Sequence, residues 1–180
     1  MLIQSEKSLL LIIDVQERLA PAIFDAPRST ANIIKLLTAA QRLNLPRLVT
    51  EHYPGGLGTT LAEVAAFVSK EDVFEKIHFS SLAEPGFQER LQANGRRQLV
   101  VAGMETHVCL LQSVLDLHEA GYDIFVVADA TGSRTAENAS LAIERMRAAG
   151  IQIVSTEMVI FEWIHRVDID CFKELFALIK

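Results

Sequence analysis

The chain has 180 residues, half of them hydrophobic and 22% charged, with nine glycines and five prolines. That length and composition fit one globular domain over residues 1–180 and exclude a disordered or fibrous chain. A net charge of −6 argues against nucleic acid or an anionic membrane as a partner.

The N-terminal apolar run is far short of the ~20 residues of a membrane span, and no other run approaches that length. It has no basic flank and no small-residue cleavage site, so it does not read as a signal peptide. This run, LLLIID (9–14), is the first of several that do not alternate polar with apolar. RLVTE (47–51), QLVVAG (98–103), DIFVVADA (123–130) and IQIVST (151–156) follow, with a short strand expected over 73–77. Unbroken apolar runs of this length are strands of a parallel sheet buried on both faces.

Helical spacing fills the intervals. Residues 29–44 place Ile33, Ile34, Leu37 and Ala40 on one stripe. Residues 108–121 end in Gly121, and 135–150 open on a cap-like T-A-E-N and end in Gly150. Residues 52–97 carry the weakest pattern: a glycine-rich loop HYPGGLG, then a helix ended by Gly95. The apolar segment 157–166 either covers the last strand or leaves apolar surface for another copy of the chain. The expected fold class is α/β: a three-layer Rossmann-like arrangement, with a central, mainly parallel sheet of about six strands flanked by helices.

In such a sheet, ligands bind beyond the carboxyl ends of the strands, at the switch point of strand order. The residues after each run are therefore the ones to weigh: Asp14 and Gln16; Glu51, His52 and Tyr53; Lys76 and His78; Gly103 to Cys109; and Asp129, Thr131 and Ser133. A cysteine in the first turn of a helix faces free N–H groups and the positive end of the helix dipole. Both favour thiolate, so Cys109 reads as a nucleophile; the alternative is a small buried hydrophobe. Asp14 is a helix cap or a proton carrier, and Lys76 a solvated lysine or a positioned cation. Their convergence on one edge favours the chemical reading. Cys171 reads as part of the apolar face of a last helix. With only two cysteines and no CxxC, both are expected as free thiols in the reducing cytoplasm.

Other chemistries find no pattern. The spacings of His52, His78 and His107 match no zinc motif, GGLG is not a dinucleotide loop, and GxxxxGK[ST] and GxSxG are absent. No metal and no cofactor are expected.

LLIIDVQERL, FEKIHFSS and LVVAGMETHVCLLQSV, in that order, resemble the isochorismatase-like cysteine hydrolase superfamily. The likeness runs from the first strand to about residue 165, and VTEHYPGGLG is similar to segments of the small isochorismatase domain-containing and YcaC-like hydrolases. The resemblance implies a catalytic triad of Asp14 as base, Lys76 as cation and Cys109 as nucleophile. It implies a cis peptide at Met104–Glu105 and an oxyanion hole from the Glu105 and Cys109 N–H groups. Glu51-His52-Tyr53 stands where nicotinamidases of the superfamily carry a metal-binding D-x-H, which argues against a catalytic zinc. Gln16, Tyr53, His78, Thr106 and His107 are the expected substrate-binding residues. The expected function is hydrolysis of a small amide-like substrate through Cys109. The alternatives are vinyl-ether hydrolysis without a covalent intermediate, and a non-catalytic interaction protein with a vestigial pocket. The superfamily also implies a homo-oligomer, from dimer to octamer.

Overall fold

The computed structural model describes residues 1–180. The chain runs β1 (Ser8–Ile13), α1 (Ala26–Arg42), β2 (Arg47–His52), α2 (Pro54–Leu57), α3 (Ala62–Ala65), β3 (Val73–Lys76), α4 (Phe87–Gln92) and β4 (Gln98–Met104). A π-helical turn, Thr106–Leu110, leads into α5 (Leu111–Glu119). There follow β5 (Asp123–Gly132), α6 (Ala136–Ala148), β6 (Gln152–Val154), α7 (Thr156–Ile164) and α8 (Phe172–Leu178). All strand pairings are parallel, in the order β3-β2-β1-β4-β5-β6. This is the α/β class expected.

Every residue of β1 is buried, which is why its sequence does not alternate. The alternation reappears in which core each side chain joins. Leu10 and Ile12 face the cluster under α1 and α7; Leu9, Leu11 and Ile13 face the cluster under α5 and α6. Burying each such leucine or isoleucine stabilises the fold by about 1.5–3 kcal/mol.

The observed elements differ from the expected ones where local chemistry intervenes. α1 begins three residues earlier than the stripe suggested, because Pro27 fits the first turn of a helix. β5 runs on to Gly132 past a bulge against β4. β6 is three residues long. The Thr135 side chain caps α6 by accepting from the Asn138 N–H. Cys171 sits at the N-cap of α8, still within the apolar core. In α7, Val159, Ile160, Trp163 and Ile164 are buried under the sheet, while Met158 and Phe161 remain exposed. No helix is long and apolar enough to cross a membrane.

The strand order reverses between β1 and β4, so the switch point lies between the ends of these two strands. Gly103 sets how closely they approach. Its φ is +130°, and a Cβ there would lie 2.1 Å from the Ile13 carbonyl oxygen. Gly103→Ala should lower the stability by about 2–5 kcal/mol, from overpacking and an unfavourable φ together. Urea unfolding checks this, with an unchanged midpoint as the contrary result.

Candidate active site

β1 ends on a carboxylate. Asp14 has a φ of +52°, a turn that Asp tolerates better than most residues, and it is completely buried. Its N–H donates to the Thr50 carbonyl at 3.1 Å, and the Thr50 hydroxyl donates to Oδ1 at 2.6 Å. Oδ2 takes the ammonium of Lys76, the last residue of β3, at 2.7 Å. That ammonium is buried as well and donates also to the carbonyls of His78 (3.2 Å) and Phe79 (3.1 Å). A buried ammonium with three oxygen partners is solvated by the protein in place of water.

Cys109 enters from the other side of the switch point, in the turn after β4. Its thiol is buried, 5% exposed, and lies close to the Asp14 carboxylate and one ring nitrogen of His52, all within 4.8 Å of one another. Burial, then the Asp14 charge, push the Cys109 thiol up to about 12, with Lys76 opposing them. The turn carrying Cys109 is π-helical, and burial beside a carboxylate favours the thiol over the thiolate expected from a helix start. The Met104–Glu105 peptide bond is cis, and the Glu105 carbonyl accepts from the N–H groups of Val108 (3.1 Å) and Leu110 (3.2 Å).

The structure thus brings Asp14, Lys76 and Cys109 together. The other expected site residues divide. Gln16 is buried with both ends of its amide bonded: it donates to the carbonyls of His52 and Gly58 and accepts from the His52 N–H. It fastens the end of β2 to the following loop and has no amide proton directed at the thiol. Tyr53 is exposed, its ring lying over Gly56. The His78 ring is bonded to Glu84 at 2.7 Å, and the residue reaches the site through its carbonyl. That bond, with the Ile77 N–H, holds the Glu84 carboxyl down at about 2. Thr106 is buried with its hydroxyl unpartnered. His107 meets the Ser133 hydroxyl at 2.9 Å, and Glu105 pairs with Arg134 at 2.8 Å.

His52 is the site residue absent from the expected pocket. As the last residue of β2 it sits in register with Lys76; its place at the end of the second apolar run was the signal in the sequence. Its ring lies 5.2 Å from Phe79, and its Nδ1 is buried without a partner. Burial, then Lys76, push it below the ordinary histidine range, so it is neutral at pH 7. Asp14, His52 and Cys109 form a carboxylate–imidazole–thiol set of the kind that can hold a metal. Lys76 already neutralises that carboxylate, so an ion there would be a second cation against the first.

This sheet brings a thiol and a carboxylate together at its switch point, where an open α/β sheet binds its ligand. The isochorismatase domain model matches residues 8–158, and the chain belongs to the isochorismatase family of hydrolases. The secreted isochorismatase effector Isc1 of Phytophthora sojae is 38% identical over 178 residues, 96% of this chain and 84% of its own length. MAR1 ribonuclease from Caenorhabditis elegans superposes with a TM-score of 0.92 at 32% identity, covering 99% of this chain and 92% of its own. The YcaC gene product of Escherichia coli, an octameric hydrolase of unknown specificity, gives 0.93 at 26% identity, covering 99% and 90%.

Two outcomes follow from the buried pair and the raised thiol. Lys76→Met should cost about 3–5 kcal/mol by leaving Asp14 uncompensated; chemical denaturation reads this, and a loss below 1 kcal/mol contradicts it. Iodoacetamide should alkylate Cys109 slowly at pH 8 and faster toward pH 11, tracked by mass spectrometry; a plateau already reached at pH 8 would refute the raised thiol.

Proposed function

We propose that the chain is a cofactor-independent hydrolase of a small amide-like molecule, acting through Asp14, Lys76 and Cys109. The observation that carries this reading is the Asp14 carboxylate standing between a buried ammonium at 2.7 Å and a buried thiol. Asp14 takes the thiol proton as Cys109 attacks the substrate carbonyl. The N–H groups of Glu105 and Cys109 receive the oxyanion. The amine leaves with the proton from Asp14. Water, deprotonated by Asp14, then hydrolyses the thioester and restores the thiol. Because the resting thiol is raised to about 12, the thiolate forms only as this proton moves to Asp14. Lys76 keeps the carboxylate oriented and offsets negative charge at the sulfur.

The raised thiol also favours a second reading, vinyl-ether hydrolysis with no covalent intermediate, in which Cys109 stays protonated throughout. A covalent adduct on Cys109 during turnover separates the two. Cleavage of RNA, the activity named for the Caenorhabditis elegans relative, has less support. The cation beside the thiol is already committed to Asp14 and two carbonyls, and the chain is acidic. A homo-oligomer is supported by the octameric Escherichia coli relative and by the exposed Met158, Phe161 and Phe176. Cytoplasmic residence rests on the two unpaired cysteines; the Phytophthora sojae relative is secreted.

A panel of small primary amides tests the reading. Cys109→Ala should reduce turnover at least about 10³-fold with little change in melting temperature. Residual activity within tenfold of the parent would remove Cys109 as nucleophile.

A further inference from the structure

Lys76 owes two of its three oxygen partners to a stretch with no regular structure, the segment between β3 and α4 that supplies the His78 and Phe79 carbonyls. The next two residues, Ser80 and Ser81, are both buried although they are polar. Both are bonded to α5. The Ser81 N–H donates to the Ser113 hydroxyl at 2.8 Å, and that hydroxyl is 3.0 Å from the Ser81 hydroxyl. The Ser80 hydroxyl donates to the Asp116 carboxylate. Ser113 and Asp116 stand four and seven residues after Cys109, the spacing of one helix stripe. Ser113 is completely buried among the leucines and valines of the helix. A serine there has no packing advantage over alanine, so its hydroxyl needs another explanation.

We propose that Ser113 and Asp116 are positioning residues that latch the carbonyl cage of Lys76 to α5, the helix continuing the turn that carries Cys109, so that ammonium and thiol keep one fixed separation. The proposal rests on the hydrolase reading in giving Lys76 and Cys109 their roles. Neither Ser113 nor Asp116 touches substrate. With the latch open, the His78 and Phe79 carbonyls lose their anchorage and the ammonium moves from the sulfur. The charges facing Cys109 are Asp14, Lys76 and Glu105, with neutral His52 beside them, and Lys76 is the one that favours thiolate.

The experiment is the rate of iodoacetamide alkylation at Cys109, mapped by mass spectrometry at pH 9, in Ser113→Ala, Asp116→Ala and Asp116→Asn. Loss of the ammonium lowers the thiolate fraction, so Ser113→Ala and Asp116→Ala should slow alkylation about 3- to 10-fold. Asp116→Asn keeps an acceptor for Ser80 and should stay within about twofold of the parent. A role in stability alone would loosen the turn, expose the thiol and leave alkylation unchanged or faster; that result overturns the proposal. Should Ser113→Ala fail to fold, Asp116→Ala, at a less buried position, decides by the same sign. The readout needs no turnover. A slowed alkylation stands even if Cys109→Ala proves active, while an unchanged one sinks the latch and leaves the hydrolase reading intact.

Discussion

The ion pair between Lys76 and Asp14 is the constraint on which the site depends. Both side chains are completely shielded from water, and two such charges repay their lost hydration only through close contact and further hydrogen bonds. The Thr50 hydroxyl and the carbonyls of His78 and Phe79 supply those bonds. The pair joins the end of β1 to the end of β3, across β2. A lysine that functioned only through its charge would sit more cheaply at the surface. Its depth fixes the charge at one position, against the Asp14 carboxylate.

The thiol is governed by the same pair. Its burial and the Asp14 carboxylate disfavour the anion, and the ammonium favours it. The balance favours protonated sulfur in the free protein. Neutral His52 adds no positive charge at pH 7 that would tip the balance. Carboxylate, ammonium and imidazole around one thiol thus set its state by their placement on three different strand ends.

Much of this was legible in the sequence. Runs such as LLLIID and QLVVAG read as doubly buried strands because burial on both faces removes alternation, and β1 and β4 are buried throughout. The edge of the sheet that gathers the chemistry followed from the topology of parallel sheets. Less legible were features set by contacts distant in sequence. The π-helical turn at Cys109 and its desolvation come from packing, so the helix-start argument pointed the wrong way on thiol acidity. Gln16 looked like a pocket wall because it follows Asp14 closely. Its amide is taken by a loop about forty residues on, at His52 and Gly58. Strand register, invisible in a single sequence, is what places His52 beside Lys76.

Trp163, the one tryptophan, has a consequence for how this protein can be watched. It is 2% exposed, and its indole N–H donates to the Ser8 hydroxyl at the start of β1. Asp14 lies beyond the other end of that strand, about 20 Å away at ~3.3 Å per residue. Intrinsic tryptophan emission therefore reports on the amino-terminal rim of the sheet. It would shift to longer wavelength with global unfolding yet stay native while the opposite rim rearranged around a displaced lysine. An unchanged spectrum would certify the scaffold and remain blind to the chemistry it carries.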